Sequence, residues 1–203
     1  MDEIILGRRT DADKLIFMFH GYGADKDDLR PVGETFARTL PTAEVRIPGG
    51  LEECEAGFGR QWFALRGGDV NEWKDAFLKN APRIMAYIDS VVIEKKLNYQ
   101  NVILSGFSQG GMVALSFGLQ HNALAVVVFS GLLISPPLCL NCSTKVLLTH
   151  GAQDDVIPIG TVTLTEEALK TSGISVQTAI SQNLAHGIDG YLLSKAVDFL
   201  KEL

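Results

Sequence analysis

Short apolar segments recur along the chain, and most of them are continuous rather than alternating. Five of them predict strands, at 14–20, 43–48, 101–106, 123–130 and 145–150. Continuous apolar runs are typical of strands that are covered on both faces, as in a parallel sheet. The segment at 174–180 alternates instead, so we expect it to lie nearer an edge of the sheet.

Helical patterns lie between the predicted strands. The predicted helices span 26–39, 71–96, 109–120 and 161–172, and a last one spans 190–203. In the last one Leu192, Ala196 and Phe199 recur at helical spacing and form one apolar stripe. Strands that alternate with helices predict a single α/β domain over residues 1–203, with a mainly parallel, doubly wound sheet.

Length and charge limit the kind of protein this is. A chain of 203 residues can bury about 70% of its unfolded surface in one core. A net charge of -6, with no basic cluster, argues against a nucleic-acid partner. The acidic N-terminus lacks a long apolar segment, and the run at 123–134 is shorter than the span of about 20 residues that a bilayer needs. We therefore expect a cytoplasmic protein without a stable membrane anchor.

The cysteines suggest no redox or metal chemistry. Their number is three, which argues against a disulfide framework. Cys139 and Cys142 form a CxxC, but it stands alone beside two prolines and has no second pair. We interpret these two residues as loop cysteines and predict no metal.

The strongest chemical signal is the sequence "GFSQG", in which Gly106 and Gly110 flank Ser108. It follows a predicted strand and precedes a predicted helix. In that position small residues allow a sharp turn that lifts the serine oxygen above the sheet. Ser108 is therefore the candidate nucleophile.

A serine nucleophile needs a base, and the chain has four histidines. His121 ends a predicted helix, and we interpret it as a surface residue. His20 and His150 each close a strand, where a structural, hydrogen-bonded role is expected. His186 lies in the loop between the last strand and the last helix, and from there it can reach the same edge of the sheet as Ser108.

The base in turn needs an acid that orients it. Asp154 and Asp155 lie on a loop directly after a strand, and the pattern of residues alone does not choose between them. The order of serine, aspartate and His186 is the order that α/β-hydrolases use.

A tetrahedral intermediate needs backbone N–H groups that stabilise its negative oxygen. The amide of Gln109, the first residue of the helix after Ser108, can supply one. The sequence "FMFHGYGAD" can supply the other, and we expect the amide of Tyr22, with Gly23 as the second choice.

From about Leu15 to the C-terminus, the chain resembles the small carboxylesterase/phospholipase group of α/β-hydrolases, which includes the acyl-protein thioesterases. The resemblance rests on "FHGYGAD", "GFSQGG", "HGAQDDVIP" and "AHG" in that order, with "RQWFAL" as weaker support. It implies the α/β-hydrolase fold. In this group the acid lies three residues after the glycine of the HG pair and four before the proline, which implies Asp154 rather than Asp155.

These residues predict a serine hydrolase that cleaves carboxylic esters through an acyl-enzyme on Ser108 and needs no metal or organic cofactor. The expected substrates are esters of short to medium acyl chains, and thioesters, lysophospholipids and acylated proteins are further candidates. Two alternatives remain: an acyltransferase of the same fold and a non-catalytic α/β scaffold. The sequence does not give the oligomeric state.

Little of the chain is free to cover Ser108, so we expect no cap domain. Only the glycine-rich excursion at 49–70 and the loop after the strand at 123–130 are available. Apolar residues on these two segments are the candidate substrate contacts, and they are Trp62, Phe63, Leu65, Leu132 and Leu133. The alternative is that many of them belong to the core.

Overall fold

The computed structural model describes residues 2–65, 69–135 and 143–203. Its main strands are β1 (Glu3–Gly7), β2 (Lys14–Phe19), β3 (Ala43–Pro48), β6 (Val102–Phe107), β7 (Ala125–Phe129), β8 (Lys145–Gly151) and β9 (Ser175–Ser181). They form one sheet in the order β1-β3-β2-β6-β7-β8-β9. The very short strands β4 (Glu52–Glu53) and β5 (Arg60–Gln61) pair with each other outside this sheet.

The described residues contain five α-helices, four of which lie between strands in the chain, while the last one follows β9. They are α1 (Arg30–Thr39), α2 (Val70–Glu94), α3 (Gln109–Gln120), α4 (Gly160–Thr171) and α5 (Gly190–Lys201). The helix predicted at 26–39 begins with a 3₁₀ turn at Lys26–Leu29, and α1 follows it with Pro31 in its first turn, where proline is well tolerated. No helix within 2–65, 69–135 or 143–203 has both the length and the apolar character needed to cross a bilayer.

Both faces of the sheet are covered, as the continuous apolar strands predict. On β2, Leu15 and Phe17 belong to the core layer that contains α2, α3 and α4. Ile16 and Met18, which alternate with them, belong to the layer that contains α1 and α5. Successive side chains of a strand point to opposite faces, so a strand between two helical layers is apolar at every position. The prediction of a doubly wound sheet is confirmed.

The two edges of the sheet differ from its centre. β9 pairs only with β8 among the strands described and alternates between partly buried and exposed residues, as the sequence predicts for an edge. β1 forms the other edge and runs antiparallel to β3, whereas all other neighbours in the sheet are parallel. β1 was not predicted, because a segment of five residues that begins with a glutamate is too short to show a clear pattern of apolar positions.

A buried cluster of charges, the Glu44 cluster, fastens β1 and α2 to β3. It consists of Glu3, Glu44, Arg46 and Lys95. The fully buried carboxylate of Glu44 accepts hydrogen bonds from Arg46 Nε at 2.5 Å and from Lys95 Nζ at 2.7 Å. Arg46 also donates to Glu3 Oε1 on β1 at 2.8 Å. Each buried charge therefore has an opposite charge beside it, which offsets the free energy of removing it from water.

We expect Glu44→Gln to lower the free energy of unfolding by about 3 kcal/mol, because it leaves two buried cations with one carboxylate fewer. Urea unfolding followed by circular dichroism measures this change. Glu94→Gln is the matched control, since Glu94 lies 3.8 Å from the same Arg46 but its side chain is 61% exposed. We expect the control to change stability by less than about 0.5 kcal/mol. Equal effects of the two variants would contradict the structural importance of the cluster.

Candidate active site

Ser108 occupies a strained turn between β6 and α3. Its φ is 53° and its ψ is -117°, a combination of backbone angles that residues other than glycine rarely adopt. A Cβ on Gly106 would lie 2.2 Å from the backbone of Gly110, and a Cβ on Gly110 would lie 1.8 Å from the carbonyl oxygen of Phe19. The turn therefore requires glycine at both positions. Ser108 N–H donates to Phe129 O at 2.8 Å, which ties the turn to the end of β7.

Asp154 and His186 are joined by a hydrogen bond. His186 Nδ1 lies 2.8 Å from Asp154 Oδ2, and because a carboxylate accepts, the nitrogen donates. The other oxygen, Oδ1, accepts the N–H groups of Val156 at 3.0 Å and Ile157 at 2.8 Å. These bonds hold the carboxylate in place, and the carboxylate in turn engages Nδ1 of the imidazole, so that Nε2 is the nitrogen left for proton exchange with a substrate.

The environment keeps Asp154 ionised. Burial by itself raises the pKa of this carboxyl group, but the hydrogen bonds from His186 and from Ile157 N–H outweigh burial. The net result is a pKa below the usual value of an aspartate. Asp155, the neighbouring candidate, is exposed on the same loop. The structure thus brings Asp154, and not Asp155, to His186.

Phe107 links the histidine to the serine turn. Its ring centroid lies 4.7 Å from that of His186, and it directly precedes Ser108. Ser108 and His186 are both partly shielded, with 9% of Ser108 and 17% of the His186 side chain exposed. Three loops, which follow β6, β8 and β9, therefore carry Ser108, Asp154 and His186 at one edge of the sheet.

Two of the other histidines have structural roles, as expected. Gly50 N–H donates to His20 Nε2 at 2.8 Å, so the proton of His20 is on Nδ1, which donates to Gly21 O at 2.7 Å. Burial lowers the pKa of His20, which keeps it neutral. The fully buried His150 donates from Nε2 to Ile157 O at 2.7 Å, and the same nitrogen lies 3.2 Å from Asp154 Oδ2. It thereby helps to hold the loop of the acid.

His121 lies partly exposed at the end of α3, in line with the expectation of a surface residue, but part of its ring is covered. Its ring stacks on Tyr99 with 4.7 Å between centroids, and its Nε2 is buried. The reason is that the 3₁₀ turn at Tyr99–Asn101 packs against the end of α3. Burial also lowers the pKa of His121.

The two residues predicted to donate their backbone N–H groups to the negative oxygen, Tyr22 and Gln109, lie in positions where these groups can reach a ligand. Gln109 is the first residue of α3, where N–H groups have no partner within the helix. Tyr22 borders a cavity beside His186, whereas the N–H of Gly23 donates to Arg60 O at 2.9 Å. Gly23 is therefore already engaged, and Tyr22 remains the better candidate for the second donor.

The side chain of Gln109 has a role that the sequence pattern did not reveal. Its Oε1 accepts from Trp62 N–H at 2.9 Å, and its Nε2 donates to Phe63 O at 2.7 Å. Trp62 Nε1 also donates to His20 O at 2.9 Å. The segment after β5 is thus tied to the start of α3 and to the loop after β2. The pattern of apolar and polar residues cannot predict such a hydrogen bond, because the bond joins two segments that are distant in sequence.

The candidate substrate contacts fall into two groups. Trp62 and Phe63 have no exposed surface and pack in the core, so they do not fit the expectation that they line a groove. Leu65 is partly buried and packs against the same core. Leu132 and Leu133 border an apolar depression of about 190 Å³. Cys139 and Cys142 lie outside the described residues.

A larger cavity, the His186 cavity, has a volume of about 710 Å³. It lies between the loop after β2, the beginning of α1 and the segment that joins β9 to α5. Gly21, Phe107 and His186 are among its lining residues. A Cβ on Gly21 would lie 3.5 Å from Ser108 Cβ, so the loop that lines the cavity also packs against the serine.

Comparison with known sequences places the chain in a family. The model of the phospholipase/carboxylesterase family matches residues 1–203. Esterase YpfH of Escherichia coli (strain K12) is 32% identical over 196 residues, which cover 94% of this chain and 83% of that protein. Acyl-protein thioesterase 1 of Saccharomyces cerevisiae (strain ATCC 204508 / S288c) is 30% identical over 114 residues, which cover 49% of this chain and 48% of that protein.

Solved structures have the same fold. The crystal structure of esterase PE8 superposes with a TM-score of 0.90 at 29% identity and covers 98% of this chain and 97% of its own. The Bacillus cereus carboxylesterase, at 18% identity, has a TM-score of 0.84 with coverages of 100% and 94%, which shows likeness of fold. The predicted resemblance and fold class are confirmed. The chain belongs to the phospholipase/carboxylesterase family of α/β-hydrolases and is an ester-hydrolysing enzyme.

Proposed function

We propose that this enzyme cleaves carboxylic esters with Ser108 as nucleophile, His186 as general base and acid, and Asp154 as the group that orients His186. The observation that carries the proposal is the 2.8 Å bond from His186 Nδ1 to the buried Asp154, on a loop beside the strained serine turn. A serine becomes a useful nucleophile only when such an oriented base takes its proton.

In the first half of the reaction, Ser108 Oγ attacks the carbonyl carbon while its proton passes to His186 Nε2. The tetrahedral intermediate then collapses as Nε2 gives that proton to the departing oxygen or sulfur, which leaves as an alcohol or thiol. In the second half, water attacks the acyl-enzyme and loses a proton to the same Nε2. The proton returns to Ser108 Oγ as the carboxylic acid is released.

Charge in both intermediates is stabilised by fixed groups. The backbone N–H groups of Tyr22 and Gln109 donate to the negative oxygen of the tetrahedral intermediate. Burial raises the pKa of Asp154, but the hydrogen bond from His186 outweighs burial and lowers it. Asp154 therefore remains negative and stabilises the imidazolium.

The proposed substrates are esters with short to medium acyl chains, and thioesters and lysophospholipids are further candidates. Leu132 and Leu133 support this range, because they follow Gly131, which lies against Gly111 in the first turn of α3, and they border an apolar depression that can accept a few methylene groups. Two relatives are named esterase and acyl-protein thioesterase, which is consistent with oxygen and sulfur leaving groups alike.

Ser108→Ala should lower kcat by several powers of ten and abolish labelling by a fluorophosphonate, while the melting temperature stays near that of the wild type. Ser130→Ala is the matched control, because Ser130 also has a positive φ of 48° at the end of a strand and is fully buried. The control should keep its labelling. Undiminished turnover in Ser108→Ala would refute the assignment of the nucleophile.

Asp154→Asn should lower kcat about a thousandfold or more, since an amide cannot stabilise the imidazolium and favours the wrong tautomer of His186. Asp155→Asn, on the same loop, should behave like the wild type because its carboxylate is exposed. Steady-state rates of the two purified variants test this difference. Similar losses in both would show that the loop, and not the bond to His186, is what matters.

A panel of esters from acetyl to palmitoyl tests the acyl range. Each added methylene that enters the depression should contribute up to about 0.8 kcal/mol, or about fourfold in kcat/KM, until the apolar surface ends. Leu133→Ala should flatten this rise. A value of kcat/KM that is constant or falls beyond acetyl would exclude an apolar acyl site while leaving ester hydrolysis in place.

A further inference from the structure

The His186 cavity extends away from Ser108 along the first turn of α5. Its walls are the loop after β2, the beginning of α1 and the segment 186–193. Its apolar lining is supplied by Leu29, Val32, Phe107, Ile188 and Leu193. The family relationship and the proposed roles of the catalytic residues do not say which part of a substrate this space receives.

The direction of proton transfer indicates whether the cavity receives the acyl part or the alcohol part of an ester. Nδ1 of His186 is bound to Asp154, so Nε2 is the atom that must protonate the departing oxygen or sulfur. The departing atom must therefore lie within hydrogen-bond distance of Nε2, on the side of the imidazole. His186 and Gly21 both border the cavity, and a Cβ on Gly21 would lie 3.5 Å from Ser108 Cβ, so the cavity is the space beside both residues that could receive the departing group.

The charges around the cavity have one sign. Among the described residues that line it, the charged side chains are Asp28 and Asp189, and His20 is held neutral by burial. Of the nearby cations, Lys26 pairs with Asp2 at 2.7 Å and Arg30 pairs with Asp27 at 2.6 Å. Arg60, whose charge acts on His20, does not border the cavity, and its Nε donates to Gly50 O at 2.6 Å.

Asp189 keeps its charge because of its place in the fold. It caps α5 by accepting Leu192 N–H at 2.8 Å, and Ser181 Oγ donates to its other oxygen at 2.6 Å. These bonds hold the pKa of Asp189 below its usual value. The carboxylate therefore also offsets the positive end of the α5 dipole, which could otherwise attract an anion.

We propose that the His186 cavity receives the alcohol or thiol part of the substrate, and that Asp28 and Asp189 make it favour neutral or cationic leaving groups over anionic ones. This inference rests on the proposed function, since it uses His186 as the acid of that reaction. It assigns a substrate class: esters and thioesters whose leaving group carries no net negative charge, so that a lysophospholipid qualifies only when its head group is zwitterionic.

The charge preference can be measured with three butyrate esters that differ in their alcohols. Choline butyrate is cationic, 3,3-dimethylbutyl butyrate is its neutral isostere, and 3-sulfopropyl butyrate is anionic. At low ionic strength we expect kcat/KM to fall about fivefold from the cation to the neutral ester and by a similar factor to the anion. Added salt should reduce both ratios.

Asp28→Asn and Asp189→Asn should bring these ratios towards one. Asparagine is a suitable replacement because it keeps an oxygen that can cap α5 or accept Asp25 N–H. Asp198→Asn is the matched control, because Asp198 is an exposed aspartate on α5 that does not border the cavity. Equal rates for the three esters in the wild type, or ratios that survive in both variants, would overturn the charge preference.

Separate rates of acylation and deacylation test the assignment of the cavity. Leu193→Phe narrows the cavity and Leu193→Ala widens it. After the alcohol has departed, only the acyl group and water remain at Ser108. Both variants should therefore change the acylation rate constant, by about tenfold for the larger side chain, and leave deacylation nearly unchanged. Leu78→Phe, at an exposed position of α2, controls for added bulk.

Stopped-flow measurements with p-nitrophenyl butyrate give the two constants, and melting temperatures show that the variants are folded. Deacylation that changes as much as acylation would mean that the cavity holds the acyl group, which overturns the assignment. A wild type in which no acyl group can be trapped on Ser108 would overturn the proposed function itself, and the inference with it. The two failures are thus distinguishable.

Discussion

The close approach of α3 to the end of β2 is the constraint on which the site depends. Gly110 lies so near the carbonyl of Phe19 that no side chain fits between them. In the same turn Ser108 has a positive φ, and the first turn of α3, which begins at Gln109, lies against the loop that carries Tyr22. The nucleophile and the two proposed amide donors are therefore positioned by one backbone contact, and their relative positions do not depend on flexible side chains.

The parallel sheet explains why residues so distant in sequence meet. The carboxyl ends of parallel strands lie at the same edge, and the loops that follow β2, β6, β8 and β9 supply the residues of the site. Each loop is anchored by backbone hydrogen bonds, such as Ser108 N–H to Phe129 O and the two N–H groups that Asp154 accepts. A rigid scaffold thus holds loops that carry the chemistry.

Much of this arrangement could be predicted from the sequence, because continuous apolar strands and the glycines around Ser108 have local causes. The choice between Asp154 and Asp155 came from resemblance to a family, and the sequence left open whether Trp62 and Phe63 line a groove or lie in the core. Their burial depends on the amide of Gln109, which lies far away in the chain. β1 was missed for a similar reason, since its position depends on pairing with β3 and on the charge of Arg46.

The Glu44 cluster also bears on how the molecule behaves when it is partly unfolded. If β1 comes away, the unpaired backbone of β3 is exposed, and such edges readily associate with strands of other molecules. The side chains of Glu44 and Arg46, however, would then accompany that edge into any association. A neighbouring strand would have to bury both charges without Glu3, at a considerable cost in free energy. The residues that fasten the N-terminal strand should therefore also protect this enzyme against aggregation.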